Sequence, residues 1–523
     1  MATIGAVRPV HDGEVLIELG AREYPFYAVR SGEVVILEHS SGEPKEVVAH
    51  GPGHFTGDVD LLTRRPSLVS AVARGDGEVV EVPASRIRQL LNDVPDLSGK
   101  LIEAFQMRRE MLERAGFIGI RVIGEGDSKE TLELREFLYK NKVPHVFEDI
   151  EEDAGRDALG KLGFTAAQAP VIACTQHVVS RPSLTEFAEC LGISREIPDE
   201  LYDVVIVGAG PAGLAAAVYG GSEGLKTLLV DRVGPGGQTG QSSMLENYMG
   251  FPAGISGVDL ANRGYLQSIK FGVEFRAPVS VLGITRRESG EQALDLCSGQ
   301  VVRSRTVLIA TGASYRRMPL DDIARFEGSG LYYAATSVEA RVCRGTTAIV
   351  VGGGNSAGQA AMFLARQAAR VFLVLRGDDL RKKMSEYLCQ RIEHMPNIQV
   401  LRHTVVAGMF GERRLAEVEL HDTVTGEKRR VACGGVFSFV GAAPHTEWLD
   451  ASFARDEHGF LRTGALVAED VRWDPSRAPC ELETSRPGIF AAGDVRSGTT
   501  KRCTFAAGDG ALGVTCIHWY LAH

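Results

Sequence analysis

Two glycine-rich turns are the residues best placed to do chemistry. The first, Gly208-Ala209-Gly210-Pro211-Ala212-Gly213, follows the apolar run Val204 to Val207 and opens an alanine-rich stretch. The second, Gly352-Gly353-Gly354-Asn355-Ser356-Ala357, follows Ala348 to Val351 and opens another. Glycines at this spacing, between a strand and a helix, allow a tight turn and bring backbone amides to a pyrophosphate at the helix N-terminus. Asp231 closes the run Thr227 to Val230. It lies at about the spacing, 20 or so residues on, where a carboxylate accepts hydrogen bonds from a ribose. The strand after the second turn, Val371 to Leu375, ends in Arg376 instead, and Arg381 follows. An arginine there pairs with the 2′-phosphate of NADPH, whereas a carboxylate favours the 2′-hydroxyl of NADH. Gly377 carries no second charge, and Asp378 and Asp379 would repel a phosphate if they faced it. NADPH is favoured and NADH stays open.

Thiols are the other candidate chemistry. The nine cysteines show no close pair in sequence and no metal-ligand spacing, so no metal is expected. Cys174, Cys343 and Cys503 are singled out, although an isolated cysteine is most often a small buried hydrophobe. A reactive thiol needs an accessible, electropositive setting. Lys501 and Arg502 give Cys503 the nearest approach to one. The same two cations would also stabilise negative charge on a reduced flavin ring.

The elements that must position these residues can be read from composition and periodicity. The chain has 523 residues, 44% of them hydrophobic, enough for several domains with their own cores. Its net charge of -10 argues against a nucleic-acid partner. No apolar stretch is long enough to span a bilayer. With no leader-like N-terminus and scattered free thiols, a cytoplasmic location is expected. Short alternating runs with glycines up to about residue 95 (Tyr27 to Val29, Glu33 to Leu37, Glu46 to Ala49, Val79 to Val82) suggest a small β-roll. A connector helix from about Leu97 to Arg114 completes a first unit, 1–117. A second, 118–195, alternates strands (Gly119 to Ile123, Val143 to Ile150, Pro170 to Cys174) with helices (Lys129 to Lys140, Ser183 to Leu191). Ser183 and Glu186 form a capping box at the last helix. The remainder is an α/β assembly of two Rossmann-like dinucleotide-binding domains: 196–314 and 441–523 around an inserted 315–440.

From Tyr202 onward the chain resembles the thioredoxin-reductase-like pyridine nucleotide-disulfide oxidoreductases. Gly236-Gly237-Gln238, Glu246-Asn247, Ala310-Thr311-Gly312-Ala313, Ala492-Gly493-Asp494, Lys501-Arg502 and Ala506 to Gly510 look like that family's flavin-contacting segments. The resemblance implies FAD held by Gly208, Gly210, Pro211, Ala212, Gly213, Asp231, Gly237, Gln238, Asn247, Thr311, Gly312, Gly493, Asp494, Lys501 and Arg502. It implies NAD(P)H held by Gly352, Gly354, Asn355, Ser356, Ala357, Arg376 and Arg381. It also implies a homodimer. The departure is at Ala334-Ala335-Thr336-Ser337, where relatives that reduce thioredoxin carry Cys-x-x-Cys. Serine forms no disulfide, so that dithiol route is absent.

The two N-terminal units also carry resemblances. Unit 118–195 is similar to a thioredoxin or glutaredoxin fold, with Ala169-Pro170 before its third strand. No thiol stands at Asp127-Ser128-Lys129-Glu130-Thr131, where that fold's cysteines would precede the first long helix. The first unit resembles a cyclic-nucleotide-binding domain through Tyr27 to Gly32, Gly53 to Asp58 and Arg65 to Ser70. There Asp58 replaces the usual Glu and Ser67 the usual phosphate-binding Arg. Losing that contact forfeits about 1.5–3 kcal/mol, so weak or absent cyclic-nucleotide binding is expected.

Together these readings describe an enzyme. NAD(P)H would reduce FAD, and the electrons would pass to an external electron carrier or disulfide. No catalytic residue is assigned with certainty; Cys343 and Cys503 are the candidates. The alternative is a redox-responsive regulator with degenerate accessory domains.

Overall fold

In the computed structural model, residues 4–523 are described apart from 40–43, 115–119, 127, 175–176, 243, 337–338, 469, 471–472 and 474–475. The expected boundary near 117, Asp127 and Ser337 therefore lie outside the described residues.

The first unit is a five-stranded antiparallel sheet closed by helices Val59–Thr63, Ala84–Asp93 and Pro95–Arg114. Two of the expected short strands are one long strand, Phe26–Glu38, paired with Ser70–Val82. Its register shifts between Val29 and Ser31 and again between Ser31 and Glu33. Gly32 at φ 75° carries the chain through this bulged region, which is why the sequence reads as interrupted.

The second unit is a four-stranded sheet. Its strands run, from edge to edge, Val146–Asp149, Ile120–Gly124, Val171–Cys174 and Val178–Ser180. Helix Lys129–Lys140 starts at Ser128, whose hydroxyl caps the Thr131 amide, and Ser183 with Glu186 forms the expected capping box. Helix Asp153–Lys161 was not expected, because two glycines weaken its pattern. Packing requires one of them: a Cβ on Gly155 would lie 2.0 Å from the Asp149 carbonyl oxygen. The Ala169-Pro170 bond is cis.

The remainder holds the two parallel sheets that place the glycine turns. In the first, strands Glu274–Arg276, Thr227–Val230, Leu201–Val207 and Val301–Ile309 lie side by side in parallel, with Ile489–Ala491 against the last. In the second, Leu331–Tyr332, Gly435–Ser438, Thr347–Val351, Arg370–Val374 and Ile398–Leu401 are all parallel. Val204, Ile206, Leu308 and Phe490 of the first sheet, and Ala348, Val350, Val371 and Leu373 of the second, are fully buried. Strands buried on both faces read as continuous apolar runs. The crossing strands Ala313–Tyr315 and Ala442–Pro444 pair antiparallel and join the two domains.

The second unit is wedged among the others. Asn141 donates to the Val233 carbonyl (2.9 Å), and its own carbonyl accepts from Arg65 of the roll (2.5 Å). Gln241 donates to Glu136 at 2.7 Å. Glu151 pairs with Arg414 of the inserted domain. Leu132 packs against the inserted domain's cluster that contains Tyr332, Ala335 and Ala340.

Candidate active site

The first glycine turn is built by close approach. Strand Leu201–Val207 ends at Gly208 (φ 108°), where a Cβ would lie 2.4 Å from the Ala310 carbonyl oxygen. A Cβ on Gly213 would lie 1.8 Å from the Gly208 carbonyl oxygen. Gly210 caps helix Pro211–Ser222, with Pro211 in the first turn where no amide partner is lost. Beyond Gly210 the space is open, the nearest atom to an added Cβ being Gly237 Cα at 3.8 Å. Gly493 (φ 76°) packs on Ala212, and Gly312 (φ 67°) faces nothing within 4 Å. The structure thus brings the 208–213 turn, the 236–238 loop, the 310–312 turn and the 493–494 turn to one place. Thr311 is held by its hydroxyl donating to the His445 carbonyl (2.9 Å). Gln238 caps the short turn Thr239–Gln241.

Asp494 is the decisive side chain. Its Oδ1 is buried without a hydrogen-bond partner. Burial pushes its carboxyl above the usual range, partly opposed by Lys501. A buried carboxylate oxygen left unpaired is costly, and it points to a polyhydroxylated ligand that donates to it. Asp509 holds the turn in place: it accepts from the Gly493 amide (3.0 Å) and pairs with Arg496 (2.6 Å). That role was not read from the sequence. The signal available was a carboxylate within an otherwise small-residue, apolar helix.

Asp231 sits where expected but is already bonded. Its Oδ2 accepts from Ala209 N (2.7 Å), and its Oδ1 from Val233 N and Gly234 N (2.8 Å each). In this structure it locks the turn and the following loop. Lys501 is likewise engaged, its Nζ donating to the Asp494 carbonyl at 2.7 Å and lying 3.9 Å over the Phe460 ring. Arg502 is exposed and caps the last helix, Cys503–Ala522. Asn247 lines a cleft of about 310 Å³ with Glu246, Pro252 and Ala253 from one domain and Tyr387 and Arg391 from the other. Arg391 pairs with Glu246 across it.

At the second turn, Gly352 (φ 145°) lies against Phe439, and Gly354 caps helix Asn355–Leu364. Asn355 accepts from the Ser385 amide (2.7 Å), Ser356 is exposed, and Ala357 is buried. Tyr315 lies on the crossing strand beside the second turn. Burial pushes its phenol up, a hydrogen bond with Ser356 opposes the rise, and the Asp494 charge adds to it. Arg376 is exposed and makes no ion pair among the described residues. Arg381 is exposed and pairs with Glu393 (2.6 Å) and Glu386 (3.1 Å). Asp378 is neutralised by Lys382 (2.7 Å), and Asp379 caps the Arg381 amide. The repulsion expected from these two acids is therefore reduced.

The thiol candidates are corrected. Cys343 is fully buried in the inserted domain's core, and burial pushes its thiol up to about 12. Cys503 is half-buried and pushed up to about 11 despite Lys501 and Arg502 next to it. Burial disfavours the thiolate at both positions. The cysteines are also less scattered than their spacing suggests. The fold brings Cys174 to Cys190 (Sγ to Sγ 3.1 Å) and Cys480 to Cys516 (2.7 Å).

In the roll, Asp58 is used up internally. Its Oδ1 accepts from Asp60 N (2.9 Å) and Tyr24 OH (3.4 Å), and its Oδ2 from Arg109 (2.7 Å). Asp60, also paired with Arg109, is buried beneath it. Ser67 is buried and donates to the Val69 carbonyl (2.7 Å), while Arg64 and Arg65 turn to Glu23 and Asn141.

Comparison with known proteins matches two parts of the chain. The family described as pyridine nucleotide-disulphide oxidoreductase matches residues 202–510, and the cyclic nucleotide-binding domain matches 7–94. The chain is similar to a thioredoxin reductase of Treponema pallidum, 35% identical over 322 residues, covering 61% of this chain and 97% of that one. It is also similar to a thioredoxin reductase of Bacillus subtilis, 31% identical, covering 62% and 96% respectively. Among solved structures, the thioredoxin reductase of Lactococcus lactis superposes with a TM-score of 0.55 at 31% identity, covering 61% of this chain and 99% of that one. That of T. acidophilum gives 0.55 at 27%, covering 62% and 99%.

Proposed function

Because this chain belongs to the pyridine nucleotide-disulphide oxidoreductase family, we propose that it moves electrons from NADPH to an acceptor outside the chain without an internal cysteine pair. It is an NAD(P)H-dependent flavoprotein oxidoreductase that uses FAD and NADPH. The observation that carries the reading is the unpaired, buried Asp494 oxygen next to Gly493, one of four glycine turns brought together. The residues fit the cofactor. The open space above Gly210 and the amides of helix Pro211–Ser222 suit a pyrophosphate, and Asp494 suits the ribityl hydroxyls. Bound there, FAD supplies two-electron exchange between the nicotinamide and the acceptor. The chain's own part is positioning: Tyr315, on the crossing strand that joins the two domains, reaches Ser356 of the second turn. Exposed Arg376 is the group available for a 2′-phosphate, which supports NADPH over NADH.

The acceptor is proposed to be an electron-carrier protein or a disulfide. Residues 334–336 read Ala-Ala-Thr, and the neighbouring cluster is covered by Leu132 of the second unit. That unit reads as a thioredoxin-like domain without its thiols, docked as a structural module. The working unit is proposed to be a homodimer, and the exposed Phe505 and Leu512 of the last helix offer apolar surface to a second copy. The docked unit also supports the second reading, a redox-responsive regulator, since it touches both dinucleotide domains and would sense their relative movement.

Anaerobic rapid mixing of the flavin-loaded protein with NADPH or NADH, followed by an electron carrier or a disulfide, tests the proposal. Fast bleaching by NADPH and fast reoxidation by one acceptor class is the expected result. Fast bleaching with no competent acceptor would favour the regulator. No bleaching by either nucleotide would overturn both.

A further inference from the structure

The second unit has lost thiols where its likeness to thioredoxin would place them, yet it holds two others. Cys174 ends strand Val171–Cys174, and Cys190 ends helix Leu184–Cys190. They are 16 positions apart in sequence, and their sulfurs lie 3.1 Å apart. Both are half-buried rather than sealed in the core. Strand register places them at the far end of the unit. Cys174 pairs with Ile120, whereas Pro170 and Thr131 crowd Gly124 at the other end. That other end is where helix Lys129–Lys140 begins, the helix whose Leu132 packs on the inserted domain. The thiols therefore occupy the end remote from that contact.

We propose that Cys174 and Cys190 are a redox-active dithiol that closes to an intradomain disulfide by exchange with an external disulfide. The Cys190 thiolate attacks one sulfur of the external disulfide. A mixed disulfide forms and one thiolate leaves. Cys174 gives up its proton to solvent and attacks Cys190 Sγ, expelling the second thiolate. The pair loses two electrons and the external disulfide gains them. The geometry suits both steps, because neither sulfur has far to travel to bond with the other. The electrostatics suit the first step. The two thiols share one hydrogen bond, so one can keep its proton while the other ionises, with Cys190 lowered and Cys174 raised by the contact. Such a shared proton gives a nucleophile at neutral pH with its resolving thiol in place. Cys480 and Cys516 are closer still, at 2.7 Å, but Cys516 is sealed in the core and burial raises both thiols, so their exchange should be slower.

The test uses the full-length, flavin-loaded protein, reduced, desalted and exposed to glutathione disulfide near neutral pH. Peptide mapping by mass spectrometry is expected to find a 174–190 cross-link before any 480–516 cross-link. Cys174→Ser should instead trap one glutathione on Cys190, released by dithiothreitol. Cys190→Ser removes the contact that chiefly raises the Cys174 thiol, so Cys174 should take up one glutathione and form no cross-link to position 190. Flavin absorbance and far-UV circular dichroism report whether each variant is folded, and the wild-type cross-link stands as a readout if either is not. No 174–190 cross-link, or a cross-link confined to Cys480 and Cys516, would overturn the proposal. So would a folded Cys174→Ser protein that stays unmodified.

Discussion

Two aspartates, Asp494 under the first dinucleotide turn and Asp58 in the N-terminal roll, stand at positions where nucleotide sites keep a carboxylate, and the chain treats them in opposite ways. Asp494 Oδ1 is buried and has no protein partner. Both Asp58 oxygens are met from within, by Arg109, the Asp60 amide and Tyr24. A buried carboxylate kept unpaired costs stability until a ligand donates to it. One closed by a buried arginine has no such demand. The difference teaches that matching a domain's sequence pattern and keeping its binding chemistry are separate properties. Residues 7–94 match the cyclic nucleotide-binding domain, yet Asp58 within them is paired with Arg109 from the following helix.

The largest expected effect comes from breaking the internal substitute. Arg109→Met leaves Asp60, 2% exposed, without its cation. Stability should fall by about 3–5 kcal/mol, measured by urea unfolding of the roll's transition; a loss near zero would mean that the pair does not close the site. Next, Asp494→Ala removes the acceptor left open for the ribityl chain. Each charge-assisted bond lost is worth about 1.5–3 kcal/mol, so FAD retention should drop about 10- to 100-fold. The flavin absorbance of purified protein reads this, and undiminished colour would refute the role given to Asp494.

A smaller effect separates the two glycine turns. Arg376→Ala should raise KM for NADPH about 10-fold or more, the loss of one charged phosphate contact, and leave KM for NADH nearly unchanged. Equal changes for both nucleotides would return the 2′-phosphate to Arg381 or to no side chain.

The smallest is a pH effect in the roll. Burial lowers the His50 imidazole from 6.5 to about 4, with Arg108 and His54 adding to it. The unfolded chain then takes up the proton first. The contribution of neutral His50 is present above about 6.5 and is lost as pH falls toward about 4. Melting temperatures should decline across that window, and His50→Gln should flatten the decline. Identical slopes in the two proteins would remove His50 from the roll's acid sensitivity.

Much of this division could be read in the sequence, and the limits have physical causes. Both glycine turns, the strands before them and the helices after them lie where local pattern puts them, because strand, turn and helix are set by neighbours in sequence. The capping box at Ser183 is local in the same sense. What escaped depends on distant partners. Arg109 lies 51 positions from Asp58, and nothing in the helix carrying it marks it as buried. Cys174 and Cys190 look unrelated until a strand and a helix end side by side. Arg381 reads as a phosphate ligand, and only the fold reveals its pairing with Glu393 of the next helix. Asp231 reads as a ribose acceptor, and only the fold reveals three backbone amides already on it.

The most direct measurement is an inventory of the nucleotides the full chain retains. The protein would be incubated with millimolar cyclic AMP, desalted and denatured, and the released compounds separated by chromatography. FAD at about one per chain, with no cyclic nucleotide, is the expected result. A cyclic nucleotide retained at comparable occupancy, or a chain that holds no flavin, would contradict the assignment of an open site to Asp494 and a closed one to Asp58.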